Sequence, residues 1–400
     1  MLPDGWIRTT IGEQLTLQRG FDITKATQRQ GSVPVVSSGG VSSYHDTSTA
    51  VGPGVVLGRK GVVGSVYYVA ADYWPHDTTL WVKDFKGNDP RFVYYFFRMM
   101  ATRLAGMDVG SANPTLNRNH VHPIEIVWPH RLTTQEAIGK TLSALDEKID
   151  QNGRTVRALE RLARAIFRAW FVDFEPVKVR ASGGTSFPSM PQHVFDALPT
   201  RLVASKIGPI PESWGVKPLE QIVHLTMGQS PSSEFYNQEG NGLPFHQGVT
   251  DYGFRFPSHR VYCATDGRLA EPHDILLSVR APVGRINVAD RRLVLGRGLA
   301  GIRHRHGSQS FLLHQLGHVF AEEDAIGDGT IFKAVTKQFL ANMPFLEPVD
   351  DIAKAFEDLV RPLDDLIEAS EMETRKLEEL RDYLLPRLLS GSARVEAVDG

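Results

Sequence analysis

The sequence has a single cysteine, Cys263, among its 400 residues. One cysteine can form neither an intramolecular disulfide nor a cysteine-only metal cluster, and cysteine-poor chains are typical of reducing compartments. The sequence also lacks an apolar run near the roughly 18 residues that a membrane span needs, and its opening residues lack the apolar core of a signal peptide. We therefore expect a cytoplasmic protein that is neither secreted nor embedded in a membrane.

A large excess of charge is missing as well, because 44 Lys and Arg stand against 46 Asp and Glu. The distribution is nevertheless uneven. Residues 349–400 carry 7 basic and 14 acidic side chains, whereas residues 255–306 carry ten arginines against four acidic residues. Such a basic stretch is compatible with contact to nucleic acid and equally with an ordinary solvated surface.

The sequence repeats itself about 220 residues apart. Residues 54–64 resemble residues 274–284, and residues 116–129 resemble residues 335–348. Each half contains short β-branched runs bounded by Gly and Pro, then one helical run, and then a long amphipathic helix. This order predicts two similar α/β (α+β) domains, each followed by a long helix.

The apolar stripes of the two long helices recur at three- and four-residue steps, which predicts that another helix covers each of them. A helix of about 40 residues would be about 60 Å long. The simplest arrangement is an antiparallel coiled coil with the globular domains apart, and parallel pairing between two molecules is the alternative. Pro362 is expected to kink the second helix, and Pro386 is expected to end it. The residues predicted to pair the helices are Ile138, Leu142, Leu145, Ile149, Val156, Leu159, Ile166, Ile352, Phe356, Leu359, Leu363, Leu377, Leu380 and Leu384.

The chain is thus expected to have five parts. The segment between the first helix and the second domain is rich in Ser, Gly and Pro, and it is expected to be a connector. The predicted parts are a first domain at 1–130, a helix at 131–175, the connector at 176–210, a second domain at 211–348 and a second helix at 349–391.

Patterns that resemble catalytic motifs lack the context that their chemistry requires. Residues 296–301 fit GxGxxG, but the residues that follow do not open a helix. Residues 139–141 resemble the end of a phosphate-binding loop but lie inside a predicted helix. His314 and His318 have the spacing of zinc ligands without a neighbouring glutamate or a third ligand. We predict no catalytic residues and no metal site.

Arginine, lysine, asparagine and glutamine recur beside glycines in the predicted loops. Arg and Lys can bond to guanine, and Asn and Gln to adenine, through paired hydrogen bonds. For any one of these residues, surface solvation or a structural turn is favoured over a base contact, whereas the set as a whole is typical of a DNA-reading surface. The candidate DNA contacts are Arg19, Lys25, Arg59, Lys60, Asn113, Arg118, Asn119, Gln229, Gln247, Arg255, Arg280, Arg285, Arg297, Lys333 and Lys337.

Several segments resemble the specificity subunit of type I restriction-modification systems. Residues 134–138 (TQEAI), 142–149 (LSALDEKI) and 166–177 (IFRAWFVDFEPV) are similar to the central region of that family. Residues 380–391 (LRDYLLPRLLSG) are similar to its distal region, and residues 228–232 (GQSPS) to the opening of its target-recognition domains. The resemblance covers nearly the whole chain in the right order.

This resemblance implies a DNA-binding protein without chemistry of its own. Each domain would read one half of a split double-stranded target, and the paired helices would set the unread gap. The helices would dock two modification (M) subunits, which use S-adenosylmethionine to methylate adenine, and restriction (R) subunits that need ATP and Mg²⁺. No cofactor is expected on this chain. The competing hypotheses are a coiled-coil scaffold without sequence-selective DNA binding, and a self-sufficient nuclease or methyltransferase, for which no motif is found.

Overall fold

The computed structural model describes residues 2–107, 115–265, 267–325 and 335–395. The chain divides into two compact units. Unit 1 comprises Met1–Gln151 and Thr374–Gly400, and unit 2 comprises Asn152–Glu373. In each unit, the part outside the long helices is called domain 1 (residues 6–129) or domain 2 (residues 215–347).

Domain 1 is a mixed α+β domain. Its four-stranded antiparallel sheet has the order β2-β8-β5-β6, β1 pairs with β9, and β3 pairs antiparallel with β4 and parallel with β7. The elements are β1 (Trp6–Thr10), α1 (Ile11–Gln14), β2 (Thr16–Arg19), β3 (Val33–Ser37), β4 (Gly40–His45), β5 (Gly54–Gly58), β6 (Val66–Val69), β7 (Trp74–Pro75), β8 (Thr79–Asp84), α2 (Pro90–Ala105), α3 (Arg118–Val121) and β9 (Glu125–Pro129).

The core of domain 1 forms where α2 covers the sheet. Asp89 caps α2 by accepting a hydrogen bond from the Phe92 amide at 2.7 Å, and proline occupies the first helical position, where its missing N–H costs nothing. The rings of Phe92 and Phe96 pack edge-on against Trp128, which is fully buried. The strand-then-helix order thus produces one apolar core between α2 and the strands.

Domain 1 is followed along the chain by the first long helix, α4, and by a segment of short helices and strands. These elements are α4 (Leu132–Phe171), α5 (Glu175–Ala181), α6 (Gln192–Asp196), β10 (Leu202–Val203) and β11 (Ile210–Pro211).

Domain 2 repeats the topology of domain 1. Its four-stranded sheet has the order β13-β21-β18-β19, β12 pairs with β22, and β15 pairs parallel with β20. In both sheets the first strand along the chain is followed across the sheet by the fourth, the second and the third, so the predicted duplication holds at the level of strand order. The elements are β12 (Gly215–Pro218), α7 (Leu219–Ile222), β13 (Val223–Met227), β14 (Tyr236–Asn237), β15 (Leu243–His246), β16 (Tyr262–Cys263), β17 (Leu269–Ala270), β18 (Ile275–Ser278), β19 (Ile286–Val288), β20 (Leu293–Leu295), β21 (Leu299–His304), α8 (Gln309–Ala325), α9 (Lys337–Asn342) and β22 (Pro344–Glu347), with short 3-10 helices at Ser233–Phe235 and Val249–Asp251.

Two glycines occupy the same place in the two domains. Gly64 and Gly284 have φ angles of 82° and 83°, in the left-handed region that disfavours other residues. A Cβ on Gly64 would lie 2.6 Å from the Ala101 carbonyl oxygen, and a Cβ on Gly284 would lie 2.9 Å from the Phe320 ring. Each glycine therefore lets the loop between two strands pack against α2 or α8. The two helices begin 219 residues apart, at Pro90 and Gln309, so Ala101 and Phe320 hold the same position in them.

The last helix along the chain is α10 (Asp350–Leu389), which has 40 residues like α4. Within unit 2 the two helices run antiparallel. Asn152 Nδ2 lies 3.4 Å from the Ser370 carbonyl oxygen, and the Phe167 and Phe356 ring centroids are 5.9 Å apart. The α+β class and the two long helices are confirmed.

The structure corrects the predicted end of the helix at Pro386, and the kink at Pro362 stays a prediction. Pro362 lies inside the uninterrupted helix α10, and Pro386 lies before its last residue, Leu389. The free energy gained by packing α10 therefore exceeds the cost of the lost backbone hydrogen bond and of the steric clash that each proline brings.

The helix seam differs from the predicted stripe at one position of α10. Leu380 was predicted to pair the helices, but it is 44% exposed, and the neighbouring Arg381 points inward instead, with a side chain 14% exposed. Val360 and Ile367 are fully buried although they were not among the predicted residues. The other predicted pairing residues are buried or half-buried.

Residues 176–210 were expected to form a connector, but part of this segment packs into the core of unit 2. Val177, Val194, Phe195 and Leu198 are all at most 3% exposed and share a cluster with Trp170 of α4. The Ser, Gly and Pro content misled the prediction because the short helices α5 and α6 place a few apolar side chains on one face.

The GxGxxG sequence at 296–301 leads into strand β21 and not into a helix, so the geometry of a dinucleotide site does not form there. Among the described residues, no helix combines the length and the apolar character that crossing a membrane would require.

Candidate nucleic-acid interface

Three of the candidate residues of domain 1 come together where β2, β5 and β7 end. Arg19 is the last residue of β2, and Arg59 and Lys60 follow β5. The Arg59 and Lys60 amides both donate to the Thr78 carbonyl oxygen, at 2.9 and 3.0 Å, which holds them beside the loop after β7. We call this group, Arg19, Arg59 and Lys60 with the loop 76–78, edge 1.

Asp77 contacts both arginines of edge 1, one through its carboxylate and the other through its carbonyl oxygen. Arg19 Nη2 lies 2.8 Å from Asp77 Oδ2, and Arg59 Nη1 lies 3.4 Å from the Asp77 carbonyl oxygen. Burial lowers the pKa of Arg59, and the nearby charge of Arg19 lowers this pKa further. The Arg19 side chain is 57% exposed and Lys60 is exposed, so edge 1 presents positive charge to solvent.

Asp77 also belongs to a small group of potential metal-ligating atoms. Oxygen or nitrogen atoms of Asp22, His76 and Asp77 lie within 4.8 Å of one another. The Arg19 guanidinium already contacts Asp77 there, so this carboxylate has a cationic partner without a metal ion.

Four of the candidate residues of domain 2 also come together. Gln247 follows β15 and accepts a hydrogen bond from Ser230 Oγ at 2.8 Å, and the same hydroxyl oxygen accepts one from the Arg297 amide at 3.2 Å. The Gln229 amide donates to the Leu295 carbonyl oxygen at 2.9 Å. We call this group, completed by Arg280, edge 2; its four candidate side chains are Gln229, Gln247, Arg280 and Arg297, and all four are exposed.

Edges 1 and 2 are the same place in the two copies of the fold. Lys60 and Arg280 both come two residues after the strand β5 or β18. The residue before each of them accepts a hydrogen bond from a residue near the next short helix, Arg59 from the Leu116 amide and Val279 from the Val335 amide. Two copies of one scaffold thus carry different polar side chains at one position.

Some candidates lie apart from these edges. Arg118 and Lys337 are exposed at equivalent places, the first positions of α3 and α9, and Asn119 follows Arg118. Lys25 is exposed in the turn after β2. Two further candidates, Asn113 and Lys333, lie outside the described residues.

Arg255 was predicted to contact DNA, but the structure gives it other partners. Its side chain is 8% exposed, and its guanidinium contacts Glu160 of α4 and Asp364 of α10, the latter at 3.0 Å. Burial acts to lower the pKa of Arg255, but the two carboxylates outweigh it, so the pKa is raised. A buried guanidinium that two carboxylates hold is not available to a base edge, and we leave Arg255 out of the interface.

Unit 1 contains a comparable ion cluster, in which the central residue is a carboxylate and not an arginine. Asp146 of α4 accepts hydrogen bonds from Arg98 of α2 at 2.7 Å, from Arg381 of α10 at 2.9 Å and from the Tyr95 hydroxyl at 2.7 Å. In each unit, therefore, an ion cluster joins the globular domain to both long helices.

Sequence reasoning missed Asp77 and Ser230, which hold the edge residues in position. Each of them lies two residues after a proline or glycine: Asp77 follows Pro75, and Ser230 follows Gly228. The signal that could have found them is their place directly after a strand, beside a glycine or proline.

Comparisons with known proteins find chains that are similar to this one. A family model described as the type I restriction modification DNA specificity domain matches residues 3–161. The putative type I restriction enzyme MjaX specificity subunit of Methanocaldococcus jannaschii is 31% identical over 286 residues, which are 70% of this chain. The chain is thus similar to the type I restriction-modification specificity subunits.

The match spans 62% of the length of the M. jannaschii subunit, which is less than two thirds. The HindI specificity subunit of Haemophilus influenzae is 24% identical over 355 residues, which cover 74% of each chain. The fold of this chain is similar to that of the type I restriction-modification S subunit from M. genitalium, with a TM-score of 0.70 over 96% of both chains at 15% identity.

Proposed function

We propose that this chain is the DNA-reading subunit of a type I restriction-modification complex, and that each domain binds one half of a two-part double-stranded target. The observation that carries the proposal is the recurrence of one exposed polar edge on two copies of the same fold. A duplicated scaffold with different side chains at one place is what the recognition of two different half-sites requires.

The side chains of the two edges suit the groups that DNA exposes. An arginine can bond to O6 and N7 of guanine, and a glutamine can bond to N6 and N7 of adenine. In edge 2, Ser230 orients the Gln247 side chain through a hydrogen bond, which lowers the entropy lost when glutamine binds a base, and it also accepts a hydrogen bond from the Arg297 backbone amide. Edge 1 offers three cations, and such groups contact guanines and phosphates.

The long helices have outward apolar side chains that suit protein partners. Leu162, Leu366 and Met372 in unit 2 and Leu380 and Tyr383 in unit 1 are between 36% and 55% exposed. We propose that two modification subunits and the restriction subunits dock on the helices, and that S-adenosylmethionine, ATP and Mg²⁺ bind to those subunits while this chain performs no catalysis.

The test is to map adenine methylation in cells that express this chain with its modification subunit. We expect a two-part motif with an unread middle of fixed length. Arg297→Ala should relax one half only, and Arg19→Ala should relax the other half only, because the two residues lie in different domains. Arg201→Ala is the matched control, since Arg201 forms an exposed ion pair with Glu212 outside both edges.

A continuous motif, or a variant that relaxes both halves equally, would contradict one half-site per domain. Methylation that ignores both edge variants would instead support the scaffold hypothesis. Cleavage or methylation by the purified chain alone would contradict the absence of catalysis.

A further inference from the structure

In unit 2, one flank of α4 carries only arginines. Side chains that follow one another at three- and four-residue steps lie on the same face of a helix. The side chains at these steps are Arg154, Arg157, Arg161, Arg164 and Arg168, and all five are exposed. The first three span about 10 Å along the helix axis, and we call Arg154, Arg157 and Arg161 the arginine stripe.

The arginine stripe lacks the acidic partners that usually balance a solvated helix face. Arg164 pairs with Glu160 at 2.9 Å and Arg168 pairs with Asp173 at 3.0 Å, so these two arginines are not counted in the stripe. Within the part of the chain that the structure describes, the three residues of the stripe have no ion-pair partner. Like charges three or four residues apart destabilise a helix. The stripe therefore lowers the stability of α4, which is expected where a bound polyanion neutralises the charge.

The duplication does not account for the arginine stripe. The two long helices begin 218 residues apart, at Leu132 and Asp350, and Asp146 and Asp364 hold the same position in them. The residues of α10 that are equivalent to the stripe are Met372, Arg375 and Glu379. Two identical partners, one on each unit, would need similar surfaces on both helices. The stripe therefore indicates a contact that unit 1 does not repeat.

The arginine stripe lies on the flank of α4 that meets domain 2. Glu160, one turn along the helix from Arg157, contacts Arg255 of domain 2. One turn farther on, Arg164 lines a cavity together with the loop that joins β18 to β19, and this loop also carries Arg280 of edge 2. Cationic side chains thus continue from edge 2 onto the flank of α4 that bears the stripe.

The chemistry of the arginine stripe suits the DNA backbone better than a protein surface. The centre of a protein interface is depleted of charge and enriched in apolar groups, but the stripe contains no apolar side chain. Duplex DNA carries one negative charge per roughly 1.7 Å of its axis, and arginines bind its phosphates without reading bases. We propose that the arginine stripe binds backbone phosphates of the duplex beside the half-site that domain 2 reads. This inference rests on the proposed function.

The test measures DNA binding by the complex of this chain with its modification subunit, at several salt concentrations. The stripe variant combines Arg154→Gln, Arg157→Gln and Arg161→Gln. Each phosphate contact adds about 0.9 to the slope of log affinity against log salt, so the variant should lower this slope by about 2 to 3. Near 0.15 M salt, we expect binding to weaken about tenfold or more.

Two further measurements separate a backbone contact from base reading. The stripe variant should weaken the binding of the target duplex and of a duplex with an altered domain 2 half-site by the same factor, because phosphates carry no sequence information. The methylated motif in cells should stay unchanged. Thermal unfolding should occur at the same temperature or higher, because the variant removes like-charge repulsion along α4.

The matched control combines Lys354→Gln, Arg361→Gln and Lys376→Gln, which remove three exposed cations from α10 with the same loss of charge. This control should change the slope by less than about 1. An unchanged slope in the stripe variant, an equal fall in the α10 control or a changed methylated motif would each overturn the proposal. Loss of the modification subunit from the stripe variant would make the stripe a protein contact, which also overturns it. Failure of the proposed function is a separate outcome, since it would appear as a wild-type complex that methylates no two-part motif, whatever the salt slope.

Discussion

At the residue scale, Arg255 shows how charge is buried where domain 2 meets the helices. Its guanidinium contacts Glu160 and Asp364, whose side chains are 11% and 18% exposed. Burial acts to raise the pKa of Glu160, but the charge and hydrogen bond of Arg255 outweigh it and hold the pKa below its usual value. The three groups therefore depend on one another, because each carboxylate would be a poorly solvated charge without the arginine.

We predict that Arg255→Met destabilises unit 2 by about 3 kcal/mol, since it removes the cation from the half-buried Asp364 and leaves the buried Glu160 with only the exposed Arg164 as a partner. Arg164→Met is the matched control: Arg164 contacts the same Glu160 at 2.9 Å but is 72% exposed, so its loss should cost less than about 1 kcal/mol. Guanidinium unfolding at pH 7 measures both. Equal losses for the two variants would show that burial of the ion cluster is unimportant.

His304 provides a second residue-scale prediction, on pH. Its Nδ1 accepts hydrogen bonds from the His306 and Ser308 amides, both at 3.2 Å, and burial lowers its pKa to about 4. The unfolded chain takes up this proton near pH 6.5, whereas the folded chain takes it up near pH 4, so stability falls as the pH drops between these values.

His304→Asn keeps an acceptor atom and does not titrate, so it should reduce the loss of stability between pH 7 and pH 5 by roughly 1 kcal/mol, after allowance for the partial exposure of the ring. Unfolding midpoints of the two proteins at both pH values measure this difference. His246 and His314 titrate in the same range, so part of the pH dependence should remain. An unchanged pH dependence would contradict a neutral His304.

The sequence predicts which residue types lie at the edges, but it does not predict whether a given residue is exposed there or buried in an ion pair. Arg19, Gln247 and Arg297 were predicted from their chemistry and from neighbouring glycines, and they lie at exposed edges. Arg255 has the same chemistry and lies in a similar basic stretch, but it is buried. The difference depends on Glu160 and Asp364, which are about a hundred residues away on either side, and such partners cannot be read from local sequence.

At the scale of the element, the long helices were predictable because their apolar spacing repeats over many turns. The register of α10 was less predictable. Leu380 fits the predicted apolar stripe. The Asp146 carboxylate on α4 nevertheless accepts a hydrogen bond from Arg381, so Arg381 faces inward in place of Leu380. A pattern of apolar residues cannot reveal a polar partner on the facing helix.

Pro362 is the element-scale prediction. It lies in the middle of α10, where it cannot donate a backbone hydrogen bond to residue 358 and crowds the preceding turn. Pro362→Ala should therefore raise the free energy of unfolding by about 1–3 kcal/mol. Pro348→Ala, just before the helix, is the control and should give no comparable gain. A loss of stability in Pro362→Ala would mean that the packing of α10 depends on the proline ring.

At the scale of the whole molecule, the duplication connects the fold to the proposed function. Both domains have one strand order, one glycine contact with the central helix and one polar edge, while the side chains at the edges differ. The sequence alone showed that the two halves repeat about 220 residues apart. The equivalence of the two edges could not, because it depends on loops whose sequences have diverged.

The last prediction concerns the unread gap of the proposed target. Removal of residues 152–158 from α4 together with the facing residues 365–371 from α10 deletes one heptad from each helix and takes out Asn152 with its partner Ser370. A heptad keeps the seam aligned to within about 20° and shortens each helix by about 10.5 Å. If the paired helices set the gap, methylated sites should keep both half-sites and lose about three base pairs from the middle, at about 3.4 Å per pair.

Removal of residues 152–158 alone is the control for this experiment. It puts α4 out of register with α10, so methylation should be lost and not shifted to a shorter gap. The yield of methylation should also fall in the matched deletion, because three base pairs turn the second half-site by about 100° around the DNA axis while the helices turn much less. A matched deletion that leaves the gap at its original length would mean that something other than these helices sets it.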